Sequence, residues 1–301
     1  MYKNVDECPK KNLKLLEKYK ILIDNKGLTE VSCKAFLGEV ILYLRFIEDK
    51  KIPKTKVSDV ESFLHYCKTD RKNGDQTLQR KIVALNSFYK LLIKKDILED
   101  FKNPMDKIDS IKVRKKIRDH LTIDELKQVF DYIDKTNDLR AGAMFSLFFS
   151  SGIRLSELFQ LNKDSMNFND KTFVVLGKGQ KYRNCIYSED CKQRILKYLN
   201  SRTDDKECLF LSRENNRLSK RAIQVAVKNI IKNAGIKKNM SPHNLRHSCA
   251  MFFLTQGLEL YKIQKILGHS SVISTQIYAH NTISDVQDEV NNIFDNNQIN
   301  S

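Results

Sequence analysis

Apolar positions in the first third of the chain recur at helical spacing. Leu13, Leu16, Tyr19, Ile21 and Ile23 predict a first helix, and Gly27 supplies its stop. Thr29 is placed to cap a second helix whose face carries Phe36, Val40, Leu42, Tyr43, Phe46 and Ile47. A third starts at Lys56-Val57-Ser58-Asp59 and runs through Val60, Phe63, Leu64 and Tyr66. The run from Gln76 to Leu98 supplies a fourth, with Leu78, Ile82, Leu85, Phe88, Leu91 and Leu92 on one face. Asn103-Pro104 closes this bundle, because a residue before proline is pushed out of helical geometry.

The pattern then changes. Residues 108–120 are largely polar and hold five basic residues, so they read as a linker or as an arm lying along a phosphate backbone. Thr122 followed by Glu125 is a capping box that starts the next helix. An apolar helix covers about 140–151. The segment KTFVVLGKGQKYRNCIYS alternates around Gly177, Lys178 and Gly179 and predicts a β-hairpin. Helices follow around 189–200, 219–234, 242–256, 259–267 and 272–280, and the Asn/Gln-rich tail from about 291 reads as disordered. The expected fold is mainly α with a small β-hairpin: a helical domain over 1–107, a basic linker over 108–120 and a C-terminal domain over 121–301.

Length and composition narrow the function. The 301 residues suffice for one or two real cores without disulfide or metal staples. Lys and Arg number 53 against 37 Asp and Glu, a net charge of +16. Residues 1–120 hold 28 basic against 18 acidic side chains and the remainder 25 against 19, so both halves are positive. That excess points to a polyanion, nucleic acid or an anionic membrane surface, although a general lysine bias accounts for part of it. The apolar run 141–153 is too short to span a membrane, which needs about 18 residues, and no signal peptide is visible. Seven scattered cysteines without a CxxC pair fit reduced thiols, so a cytoplasmic protein is expected.

Four segments carry candidate chemistry: GIRLSEL with Arg154, LGKGQKYR with Lys178, PHNLRHS with His243 and Arg246, and LGHSS…YAH with His269 and Tyr278. Singly, each has a structural explanation as a surface charge, a turn lysine, a helix-end histidine or a core aromatic. GKG at 177–179 lacks the other residues of an NTPase phosphate loop, and Asn244 follows His243 where metalloprotease chemistry needs Glu. No acidic cluster suits two-metal nuclease chemistry. Together the residues suit a phosphodiester. Arginine forks grip non-bridging oxygens, histidines donate to them or shuttle protons, a lysine can protonate a leaving oxygen and a tyrosine can attack phosphorus.

The order Arg, Lys, His-x-x-Arg, His, Tyr resembles the tyrosine recombinase/integrase family, most nearly its compact Xer-like and phage-integrase-like members. GIRLSEL, LGKGQKYR, HNLRH at 243–247, LGHSS at 267–271 and TQIYAH at 275–280 look like the family's boxes in order, over about 120–285. Residues 10–105 look like its core-binding domain. The resemblance implies a two-domain, C-shaped DNA clamp. It implies that Arg154, Arg246, His243 and His269 bind the scissile phosphate, Lys178 protonates the leaving 5′ oxygen and Tyr278 forms a 3′-phosphotyrosyl bond. Glu157 reads as a supporting residue or a surface carboxylate. No cofactor, metal or ATP is implied. The partners are double-stranded DNA and further copies in a tetramer on paired sites, docked through a C-terminal segment for which Ile283–Phe294 is the candidate. A partner recombinase or accessory protein stays open.

The leading expectation is a site-specific DNA recombinase. One alternative keeps the tyrosine chemistry in a plasmid or conjugative nicking protein, and another is a non-catalytic DNA-binding protein of the same fold.

Overall fold

A computed structural model describes residues 8–48, 50–113, 119–177, 182–268, 290–291 and 293. The chain divides into two compact units, residues 1–116 and 117–301.

The first unit is a bundle of α1 (Lys10–Asp24), α2 (Glu30–Phe46), α3 (Val57–Thr69) and α4 (Asp75–Lys94). Its starts follow the sequence: Thr29 Oγ1 accepts from the Ser32 amide, and the Asp59 carboxylate accepts from the Lys56 amide at 2.7 Å. Leu16, Tyr19, Val40, Phe63, Leu85, Phe88 and Leu92 form the core. Two expected core positions differ. Ile21 is 59% exposed and Phe46 sits at the rim, stacked on Tyr66. The helix places Leu16, Tyr19 and Ile23 on the inner face, which leaves Ile21 outside. Polar groups are satisfied inside: Asn12 bonds the Lys50 carbonyl and the Ile52 amide, fixing the α2–α3 connection. Past Asn103-Pro104 a short 3-10 turn follows, and Ile108 and Ile111 still pack on this core, with the Ile111 amide donating to Gln79.

The second unit is built around α6 (Leu139–Ser151), whose residues Ala141–Ser151 are all buried. Around it lie α5 (Ile123–Thr136), α7 (Leu155–Gln160), α8 (Glu189–Asn200), α9 (Lys220–Asn233), α10 (Pro242–Thr255) and α11 (Leu260–Leu267). Phe130, Phe145, Phe149, Phe252 and Phe253 form an aromatic seam between α5, α6 and α10. The Thr122–Glu125 capping box is present, with both reciprocal bonds made.

The expected hairpin is β2 (Thr172–Leu176) and β3 (Tyr182–Ile186), antiparallel with Val174 opposite Asn184. A two-residue strand, β1 (Met166–Asn167), extends it to a three-stranded sheet. That strand and the six-residue α7 are too short to give a periodic signal in the sequence. The expected helix at 272–280 lies outside the described residues. Within 283–294, expected to dock onto a neighbouring copy, Val290 is instead 1% exposed in this unit's own core, and Ile293, in the tail expected to be disordered from about 291, packs against that core. Among the described residues no helix is long and apolar enough to cross a membrane.

Candidate active site

Arg154 sits at the junction of α6 and α7. Helix α6 ends on Gly152 in the left-handed region (φ +58°), and Arg154, extended, is the N-cap of α7. Its amide donates to Glu157 Oε2 at 2.9 Å and its Nη1 to Glu157 Oε1 at 2.8 Å. Glu157 is therefore no surface carboxylate: it is 2% exposed and binds the backbone and the side chain of Arg154 together. It also takes Arg183 of β3, with Nη2 to Oε2 at 2.9 Å and Nε to Oε1 at 3.4 Å. Burial pushes its pKa up, but the bonds from Arg183 and the Arg154 amide outweigh that and hold the carboxyl below the usual range.

Arg246 enters from the second turn of α10, which starts with Ser241 as cap and Pro242 in its first turn. It is 5% exposed and donates from Nη1 to the Gly152 carbonyl and from Nη2 to the Leu267 carbonyl, both at 2.5 Å. Burial, and then the charges of Arg154 and Arg183, lower its pKa to about 10. Arg154 and Arg183 share the Glu157 carboxylate while Arg246 donates to backbone carbonyls, so three guanidinium groups stand against one carboxylate and the site carries uncompensated positive charge.

The end of α11 organises these arginines. The carbonyls of Ile266, Leu267 and Gly268 accept in turn from Arg183 at 3.1 Å, Arg246 at 2.5 Å and Arg154 at 3.0 Å. Terminal carbonyls of a helix carry partial negative charge and favour cations, so the arrangement holds all three groups to one helix end. Gly268, at φ +62°, permits the approach: a Cβ there would lie 2.6 Å from Arg183 Cδ.

Of the six candidate catalytic residues, Arg154, His243 and Arg246 line one open pocket of about 370 Å³, together with Lys220 and Gln224 of α9. His243 is exposed in the first turn of α10. Lys178, His269 and Tyr278 lie outside the described residues, although β2 and β3 flank the first and Gly268 precedes the second in the chain. The sequence reading did not single out Arg183 or Lys220. The available signal for Arg183 was its place in β3 of the lysine hairpin. Lys220 lies 5.1 Å from the centre of the Phe159 ring at the pocket wall.

Residues 119–284 match the phage integrase family, and residues 16–96 match the phage integrase N-terminal SAM-like domain. The chain belongs to the phage integrase family. It is 32% identical to the tyrosine recombinase XerC of Caldanaerobacter subterraneus subsp. tengcongensis, over 88% of this chain and 82% of that protein. It is 29% identical to the tyrosine recombinase XerD of Oceanobacillus iheyensis, over 87% and 92%. The fold is also that of a lambda integrase tetramer bound to a Holliday junction, with TM-score 0.69 at 16% identity over 88% of this chain and 79% of that one. As a compact Xer-like tyrosine recombinase, this integrase-family chain is a DNA strand-transfer enzyme that acts site-specifically. Its second unit is the family's catalytic domain and its first holds the SAM-like domain.

Proposed function

We propose that this recombinase breaks DNA by attack of the Tyr278 hydroxyl on the scissile phosphorus. The tyrosine oxygen bonds to phosphorus on the 3′ side, passing its proton to a histidine of the site, as the bond to the 5′ oxygen breaks, and Lys178 gives that oxygen its proton. Arg154, Arg246, His243 and His269 hold the non-bridging oxygens. Religation reverses these steps with the 5′ hydroxyl of a partner strand. The phosphotyrosyl bond conserves the energy of the phosphodiester, so the cycle needs neither ATP nor a metal ion. The remaining parts of the reading are a two-unit grip on duplex DNA in the cytoplasm, the basic 108–120 segment along the duplex, and four copies assembled on paired sites.

The observation that carries this reading is the shared pocket of Arg154, His243 and Arg246. Negative charge grows on the phosphoryl oxygens as phosphorus becomes five-coordinate, and fixed cations placed in advance stabilise it without reorganisation. Arg246 supports this most directly. Its charge is held against burial and against its arginine neighbours, an unfavourable state that an anionic phosphate would relieve.

The test is covalent capture. Nicked duplexes prepared from DNA flanking the coding sequence are incubated with the protein and with Tyr278→Phe, and SDS-resistant adducts are mapped. A 3′-linked adduct that needs Tyr278 is the expected result, and an adduct formed equally well by Tyr278→Phe would overturn the assignment.

A further inference from the structure

Arg183 is the member of the arginine cluster for which the proposed chemistry has no task. Its side chain is 15% exposed, and its donors are committed within the protein: Nε and Nη2 to Glu157, Nη1 to the Ile266 carbonyl. The backbone at Gly268 closes over its aliphatic stem. Arg154 differs. It is 33% exposed, faces the pocket and is held by the same Glu157 carboxylate.

From this we propose that Arg183 is a positioning residue for strand cleavage: it fixes Glu157, and through it Arg154, while tying the end of α11 that continues into His269 to strand β3 of the lysine hairpin. Three separate pieces of the site meet on this one side chain. Glu157 has two carboxylate oxygens, and each is shared between an arginine of the pocket and Arg183. Without Arg183 the carboxylate can rotate, and the Arg154 fork turns with it. The Ile266 carbonyl also loses its donor, next to the two carbonyls that Arg246 and Arg154 bind. A displacement of about 1 Å in a group that meets the transition state costs about a hundredfold in rate. A lysine would not substitute, because one ammonium cannot reproduce a fork that spans a carboxylate and a carbonyl.

The inference rests on the strand-transfer reading, and the experiment keeps the two separable. Single-turnover adduct formation is measured on the nicked duplex captured by the unsubstituted protein, alongside DNA affinity and thermal unfolding. Arg183→Ala is compared with Arg183→Lys and with Arg194→Ala. Arg194 is a matched control: 13% exposed and ion-paired to Asp134 and Asp190 away from the pocket. We expect Arg183→Ala to lose about a hundredfold in cleavage with unchanged DNA affinity, and added methylguanidine to restore part of the rate. Arg183→Lys should fall between, and Arg194→Ala should lower the unfolding temperature yet cleave normally below it. Normal cleavage by Arg183→Ala would overturn the proposal, as would losses in Arg183→Ala and Arg194→Ala that both track the folded fraction without rescue. Should Arg183→Ala fail to fold, normal cleavage by Arg183→Lys would overturn it instead. Absence of any Tyr278-dependent adduct with the unsubstituted protein would remove the strand-transfer reading itself, and this proposal with it.

Discussion

Arg246 Nη1 lies 2.5 Å from the carbonyl oxygen of Gly152, so a side chain of α10 closes the C-terminal end of α6. The contact depends on Gly152 lying at φ +58° with no side chain. A Cβ at that position would lie 2.3 Å from Leu267 Cδ2 and 3.3 Å from Cys249 Sγ. Leu267 supplies the other carbonyl that Arg246 binds. The backbone that orients Arg246 and the packing that excludes a methyl group are therefore the same few atoms.

Gly152→Ala should accordingly disturb stability and catalysis together. Left-handed backbone alone costs an L-residue about 1–3 kcal/mol, and the clash with Leu267 adds to it. A lowered unfolding temperature and a loss of adduct formation measured below that temperature are expected. An alanine variant with both properties unchanged would contradict the geometry.

Glu157→Gln removes the one carboxylate between Arg154 and Arg183 at nearly constant volume. Breaking a buried pair in this way costs up to about 3–5 kcal/mol. The figure falls here because Arg154 is 33% exposed and screened by water. The pH dependence has a definite sign. The folded pKa of Glu157 lies below its ordinary 4.5, so the stabilisation is complete above 4.5 and is lost as pH falls below it. Acid titration of the unfolding free energy should show a shallower fall below pH 4.5 in Glu157→Gln than in the unsubstituted chain. Parallel curves would show that Glu157 is not held as an ion by its arginines.

Helix starts were the most legible feature of the sequence, because a cap is a local matter: Thr29 and the Thr122–Glu125 box form as the residues demand. The fourth helix was legible too, since Leu78, Ile82, Leu85, Phe88, Leu91 and Leu92 all face the core. Ile21 was not, because hydrophobicity alone does not separate the inner face from its edge. Arg154, His243 and Arg246 could be named from motifs at fixed spacing, and the fold puts all three on one pocket. Arg183 could not. Its importance lies in meeting Ile266, 83 residues away, and that is a property of tertiary structure.

Arg154→Ala tests the phosphate grip itself. Loss of one preorganised donor to a developing oxyanion typically costs about 10²–10³ in rate. On the proposed reading Arg154 makes one of many contacts to DNA, so affinity should fall far less than cleavage. Single-turnover rates at saturating protein separate the two effects. A loss confined to affinity would reassign Arg154 to DNA binding.

Binding should also be steeply salt-dependent, with both units contributing. Each phosphate neutralised by a lysine or arginine releases condensed counterions, and six to ten such contacts lower affinity by about 10³–10⁵ between 50 and 200 mM salt. The net charge of +16 is spread over both parts of the chain, so removing positive charge in either should flatten the slope. Lys220 is a specific case, since it lies on the pocket wall beside Arg154. Lys220→Gln should reduce the slope by about one and weaken binding to all sequences alike. A discrimination between sequences that changes while the slope stays fixed would instead give Lys220 a role in reading bases. The two outcomes are told apart by measuring affinity for the captured site and for an unrelated duplex at several salt concentrations.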